Sequence, residues 1–244
     1  MKRYLALIYG FFAYLFFLAV FLYAIGFAGN LWVPKSLDRN ETAPAAGAFW
    51  MDMLLLALFG VQHSVMARPG FKKRWTRIIA KPVERSTFVL ISSLVLALLF
   101  WQWRPIPAVI WQIADPAGRM LLWGLFWFGW LLMIYSSFSI DHFDLFGLRQ
   151  VLRYCRSIPY TRVNFKESFP YSRVRHPMML GFIIAFWATP EMTAGHMLFA
   201  FWTTAYILLG IFLEERDLSG FLGADYRKYR KRVPMLIPRW RKKP

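Results

Sequence analysis

The chain has 244 residues, 58% of them hydrophobic and 19% aromatic, with 30 Lys and Arg against 13 Asp and Glu. So much apolar surface excludes an ordinary soluble domain. The formal charge of +17 resembles that of a nucleic-acid binder, but the cations sit in short segments between long apolar runs, which is how membrane topology is encoded, so nucleic acid is set aside as a partner.

In chain order, the first apolar run is Leu5 to Phe27, 23 residues without a charge after Met1-Lys2-Arg3. It starts like a signal peptide, yet no small-residue cleavage site follows, and at 1.5 Å per residue it crosses a hydrocarbon core of about 30 Å, so it reads as a retained span. Phe49 to Met66, holding Asp52 and His63, is the second span. Thr87 to Trp103 is the third and Met120 to Ile140 the fourth. Met178 to Thr189 has only 12 residues, and His196 to Leu213 is a longer sixth segment. The last two read as a helical hairpin turning at Pro190 and Gly195. After Leu213 a polar helix opens with Glu214-Glu215-Arg216-Asp217, breaks at Gly223 and continues as a basic aromatic helix toward Val233-Pro234, suited to anionic headgroups.

The expectation is an all-α integral membrane protein, a single domain with about five to six transmembrane helices, a short hairpin and a basic cytoplasmic C-terminal helix. Its four-span part is 1–140, and 141–244 carries the loop, hairpin and tail. Twenty-six of the 30 Lys and Arg lie in the N-terminus, Ala67 to Ser86, Asp141 to Pro177 and Glu214 to Pro244. These segments share one side, which puts both termini in the cytoplasm of a bacterial inner membrane. The lipid bilayer is the expected partner, and the sequence calls for no obligate protein partner. Cys155 is the only cysteine, so no disulfide and no cysteine metal cluster are expected.

Of the four histidines, His196 falls at the outer hairpin tip, where a solvated role is expected. His63, His142 and His176 all lie near cytoplasmic ends of spans. Asp141-His142-Phe143-Asp144 reads in two ways: a general base whose ring is oriented, and its pKa raised, by a carboxylate, or a capped polar helix end. His63 reads as a substrate contact, a heme or metal ligand, or a hydrogen bond between helices. Arg175-His176-Pro177 puts a proline in the first turn of the short arm, where backbone N–H groups and a guanidinium can receive an anion. Glu214-Glu215 places two carboxylates against a helix C-terminus, which needs cationic compensation from Arg175, Arg216 or a ligand.

Tyr171-Ser172-Arg173-Val174-Arg175-His176-Pro177, the hairpin, Glu214-Glu215-Arg216-Asp217-Leu218, Gly223-Ala224-Asp225-Tyr226, Tyr229 and Val233-Pro234, in that order, resemble the isoprenylcysteine carboxyl methyltransferases and their phospholipid methyltransferase relatives. Gln62 to Arg68 and His142 to Gly147 resemble the methanethiol S-methyltransferases, part of a wider group related to a nitric-oxide-reductase accessory protein. The resemblance implies methyl transfer from S-adenosylmethionine to a small thiol, methanethiol, giving dimethyl sulfide. It also implies a cofactor pocket of Tyr171, Arg175, His176, Pro177, Glu214 and Glu215, closed by Tyr226, Tyr229 and Arg230. His142 with Asp144, and Arg149 as a second candidate, are expected to activate the thiol, with His63 at the substrate and no metal. Met179 departs from the prenylcysteine pattern, which has an aromatic residue there. A lipid or prenylcysteine acceptor and a heme-binding accessory protein, with His63 and His142 as axial ligands, are the alternatives.

Overall fold

A computed structural model describes residues 1–39, 45–161 and 167–238. In chain order the elements are α1 (Lys2–Gly29), α2 (Ala45–Ala67), α3 (Pro69–Trp75), a 3-10 turn at Lys81–Val83, α4 (Glu84–Gln102), β1 (Val109–Gln112), α5 (Pro116–Ile140) and α6 (His142–Leu145). They continue with α7 (Leu148–Cys155), α8 (Pro177–Trp187), β2 (Glu191–Thr193), α9 (Ala194–Leu222) and α10 (Ala224–Arg232). The protein is an all-α integral membrane protein, with five helices (α1, α2, α4, α5 and α9) long and apolar enough to cross a bilayer. Helices must do this work, because hydrocarbon offers the backbone no other partner. Phe11, Phe12 and Leu15 stay on the surface, as lipid-facing side chains do.

The chain packs as two compact units that interleave along the sequence. The first comprises Met1–Gln112, Asp141–Val163 and Glu191–Phe199. The second comprises Ile113–Ile140, Asn164–Pro190 and Ala200–Pro244.

In the first unit α4 packs on α1 and α2, and α7 lies on α1. Gly10 permits the last contact, since a Cβ there would sit 2.6 Å from a Val151 methyl, and Gly147, at φ +90°, lets the start of α7 approach α4, where a Cβ would meet the Ser86 backbone nitrogen at 2.8 Å. Val151 is fully buried as a result. The other end of this unit is tied by Asp38, which accepts from Asn30 Nδ2 at 2.6 Å and from Thr193 Oγ1, and whose Oδ2 lies 3.1 Å from His196 Nδ1. Asn30 ends α1 in the left-handed conformation and returns its own Oδ1 to the Asp38 N–H. Burial raises the Asp38 carboxyl, but the bonds from His196, Thr193 and Asn30 outweigh it and hold the group below the ordinary carboxylate value. His196, expected to be solvated, is instead 1% exposed, because its Nδ1 pairs with the Asp38 carboxylate, which reaches it from another loop. A strand pair was also unexpected: β1 and β2 run antiparallel, Val109 opposite Thr193, joining two connections that sequence separation hides from each other.

In the second unit α8 lies along α5. With 11 residues it offers about 16 Å of helix, too little to cross a bilayer, and its partner is α5 rather than a simple hairpin arm. Small residues make the close approach possible, as is usual between membrane helices: a Cβ on Gly181 would lie 2.5 Å from the Gly129 carbonyl oxygen and 2.9 Å from the Met133 nitrogen. Phe126 and Trp130 bury beside this crossing, with Trp130 edge-on to Phe182 and Phe186. The Trp187 indole donates to Thr204 Oγ1 on α9 at 2.9 Å.

Gly181→Ala is expected to destabilise the detergent-solubilised protein by about 1–3 kcal/mol, the usual cost of overpacking, because the obstructing atoms are backbone. Thermal unfolding measures it, with Gly210→Ala, which meets nothing within 4 Å, as the control that should not shift downward.

Candidate functional site

The second unit brings the two distant motifs together. Tyr171 to Pro177 leads into α8, with His176 as its non-helical N-cap and Pro177 at the first helical position. α9 continues as one helix through Glu214 and Glu215 to Leu222. Gly223 then breaks the helix at φ +60°, ψ −124°, a conformation that L side chains rarely adopt, and α10 turns away.

Glu215 is 7% exposed and is compensated from three sides. Arg175 Nε donates to its Oε1 at 2.6 Å, His176 Nε2 lies 3.0 Å from the same oxygen, and Arg230 Nε is 3.5 Å from Oε2. His176 Nδ1 lies 3.7 Å from Glu214 Oε2, so one buried imidazole stands between the two carboxylates. Arg175 is only 9% exposed in its side chain and also donates through Nη1 to the carbonyls of Arg230, at 3.0 Å, and Val233. The tail returns the contact through its backbone: Arg175 N–H donates to the Pro234 carbonyl at 2.9 Å and His176 N–H to that of Met235 at 3.2 Å. These two main-chain bonds tie the tail to the turn that precedes α8. Glu214 keeps 47% of its side chain exposed.

The tyrosines hold this corner. Tyr226 and Tyr229 bury with Val233 against Leu218 and Leu222, fixing α10 to the end of α9. Tyr229 donates to the Tyr171 carbonyl at 2.6 Å, and Tyr171 donates to the Ser136 carbonyl of α5 at 3.3 Å. Burial pushes the Tyr229 phenol up to about 12, and it raises Tyr171 and Tyr226 further, so all three stay protonated at neutral pH. The sequence named the three tyrosines, but not Ser136 or the Pro234 and Met235 carbonyls. A backbone carbonyl carries no residue-type signal, and only the recurrence of Val233-Pro234 in the motif pointed toward that stretch.

His142, Asp144, Arg149 and His63 all belong to the first unit. Asp141 caps α6 by accepting the Asp144 N–H at 3.0 Å. Arg149 Nη1 donates to Asp144 Oδ1 at 3.1 Å and lies 3.7 Å from Asp141 Oδ2, while Tyr160 donates to Asp144 Oδ2 at 3.2 Å. The carboxylates are thus turned to Arg149. His142 Nε2 lies 2.9 Å from the Tyr14 hydroxyl, and its ring is 4.8 Å from Phe146. Burial lowers the His142 pKa, and the opposing effect of Asp141 is smaller. This reverses the expected carboxylate-driven rise, since apolar rings surround the imidazole. The His63 ring lies 4.9 Å from Phe88 and 5.5 Å from Phe59. Among the described residues, no group of three or more His, Cys, Asp or Glu is placed to hold a metal ion.

The family described as NnrU protein matches residues 52–214. A Mycobacterium tuberculosis protein named methanethiol S-methyltransferase is 55% identical over 98% of both chains. Methanethiol S-methyltransferase 1 of Bradyrhizobium diazoefficiens is 52% identical over 98% of this chain and 84% of its own. The methanethiol S-methyltransferase of Crocosphaera subtropica is 49% identical over 98% of this chain and 93% of its own. No solved structure matches. The chain belongs to the NnrU family, together with these relatives.

Glu215→Ala strands the buried Arg175 guanidinium and is expected to cost about 3–5 kcal/mol, as loss of one partner from a buried ion pair does. Glu214→Ala should cost far less, because that side chain is half in solvent. Equal losses in a denaturation series would show that Glu215 is not what anchors the corner.

Proposed function

We propose, from membership in this family, that the chain transfers a methyl group from S-adenosylmethionine to methanethiol, giving dimethyl sulfide, at the cytoplasmic face of a bacterial inner membrane with both termini in the cytoplasm. The observation that carries the acceptor is the shared name of relatives 49–55% identical over 98% of the chain. The side is supported by the charge distribution, with 26 of 30 cations in segments that share one face if every span crosses.

The residues of the second unit fit the donor's chemistry. A sulfonium amino acid carries an ammonium, a carboxylate and a positively charged sulfur, so its site needs an accessible carboxylate and a guanidinium donor. Glu214, 47% exposed, offers the first. Arg175 Nη2, which makes no hydrogen bond among the described residues, offers the second. When bound, S-adenosylmethionine would supply an electrophilic methyl group on cationic sulfur. Arg175, His176 and Glu215 hold the turn and the tail in fixed relation, so that Glu214 is presented at a set position. Pro177 fixes where α8 begins, Tyr171, Tyr226 and Tyr229 hold the tail, and Arg230 covers the outer oxygen of Glu215.

A simple thiol has a pKa of about 8.5 or above, so little thiolate exists at pH 7 and a base accelerates its reaction. His142 is suited to that task because its lowered pKa leaves the ring neutral. Its Nε2 is held 2.9 Å from the Tyr14 hydroxyl, and the neutral ring takes the thiol proton, so that sulfur keeps the electron pair for the new C–S bond, while the donor's sulfonium C–S bond would break and leave S-adenosylhomocysteine. Asp144 and Asp141 neutralise Arg149, which makes that guanidinium a holder of the carboxylates. His63, among Phe59 and Phe88, supplies an apolar aromatic wall suited to a small uncharged thiol.

Purified protein given S-adenosylmethionine and methanethiol is expected to release dimethyl sulfide, measured by headspace gas chromatography. Absence of product while the donor still binds would sink methanethiol as acceptor and leave a lipid or prenylcysteine in its place. Since the neutral form of His142 is the base, kcat should fall as pH drops through a midpoint below the ordinary imidazole value of about 6.5. His142→Ala should remove that acidic limb and leave the Kd for the donor unchanged. A variant that keeps the limb rules out the assignment.

A further inference from the structure

We propose that a groove where α2 meets α3 binds a phospholipid of net negative charge, its headgroup on a cluster of cations and its acyl chain against the end of α2. The groove encloses about 610 Å³ and is lined by Arg68, Lys73, Arg74 and Arg77 together with Val65 and Phe71. It lies in the first unit, none of its lining residues is assigned to methyl transfer, and it requires nothing from that reading.

The local sequence builds the groove. α2 ends at Ala67, Arg68 donates back through Nε to the Ser64 carbonyl at 3.3 Å, and Pro69 starts α3. Phe71 and Trp75, one turn apart, pack inward on Met66, Phe88 and Val89. That leaves Lys73, Arg74 and Arg77 pointing outward and exposed. None of these three makes an ion pair among the described residues. Glu84 is the only acidic residue between Ala67 and Ser86, so the positive charge has little local compensation.

Two features favour a lipid over a free anion. Val65, 45% exposed, belongs to the last turns of a membrane-spanning helix, so one wall of the groove is apolar surface at the edge of the bilayer. Ile78, next to Arg77 in the chain and just beyond α3, is a second apolar side chain left 79% exposed. A soluble phosphate would gain nothing from these walls, whereas a phospholipid occupies cationic and apolar surfaces at once.

The test uses full-length protein in neutral detergent, titrated with phosphatidylglycerol or phosphatidylcholine, with bound lipid counted by native mass spectrometry. Wild type should favour phosphatidylglycerol at least tenfold. Neutralising Lys73, Arg74 and Arg77 together (Lys73→Gln, Arg74→Gln, Arg77→Gln) should abolish the preference, at about fivefold for each charge near a membrane surface. Gly70→Asp gives an independent arm: a Cβ there meets nothing within 4 Å, so the variant adds a repelling charge at the rim and leaves the cations intact. It should weaken phosphatidylglycerol binding, and Gly70→Ser should not. Undiminished preference in Gly70→Asp overturns the proposal, as does displacement of the lipid by inorganic phosphate at equal concentration.

Discussion

A carboxylate buried at the end of a membrane helix has to be neutralised, and the Glu215 ion network meets that requirement for the second unit. Glu214 and Glu215 stand about two turns inside α9 rather than at its C-terminus, so it is the burial of Glu215, and not the helix dipole expected from the sequence, that calls for cations close by. Arg175 supplies one from a turn that precedes α8, and the same guanidinium reaches the carbonyls of Arg230 and Val233. One side chain therefore couples three segments, the turn before α8, the polar end of α9 and the tail, the last lying 55 residues beyond the first. Losing it would leave a buried charge without its partner, which costs more than the pair contributes.

The network positions rather than merely stabilises. Arg175 and His176 lend their backbone N–H groups to Pro234 and Met235, so the tail is zipped to the turn by main-chain bonds as well as by charge. The tyrosines extend that coupling to α5 through Tyr229, Tyr171 and the Ser136 carbonyl. The Gly129 and Gly181 crossing fixes α8 on the same helix. Glu214 is then a half-exposed carboxylate on a scaffold held together by Arg175, His176 and Glu215. A ligand cation meeting Glu214 would not have to displace an internal partner from Glu215.

Hydropathy and the proline positions made the helices legible, since a run of uncharged residues has one conformation open to it in hydrocarbon. The shortness of the fifth segment was equally visible, but its packing partner was not. Nothing in Pro177–Trp187 indicates α5, because glycines mark a close approach without naming what approaches. The Asp38 and His196 pair was hidden for a similar reason: each residue looks solvated within its own loop, and only tertiary pairing buries both. His142 shows the limit of neighbour-based reasoning. Two flanking carboxylates suggested an acidic environment, yet helix capping and Arg149 claim them, and a tyrosine from α1 takes the ring instead. The Arg175 and Glu215 pairing was legible because both motifs carried a charge that had to be compensated somewhere.

Charge divides the cations of this chain into two groups with different work. Arg175 and Arg149 are held by carboxylates and build geometry. With 30 cations against 13 acids, the cations outnumber the carboxylates, and most of the rest lie in the segments between the spans. There they fix orientation through the membrane potential and the surface charge of the bilayer. The same cations, gathered between the apolar runs, therefore give the membrane ends a standing affinity for anions. Lys73, Arg74 and Arg77 are where that affinity coincides with an apolar wall. A surface of this kind discriminates by headgroup charge and not by headgroup shape, because exposed lysine and arginine side chains impose no fixed geometry on what they bind.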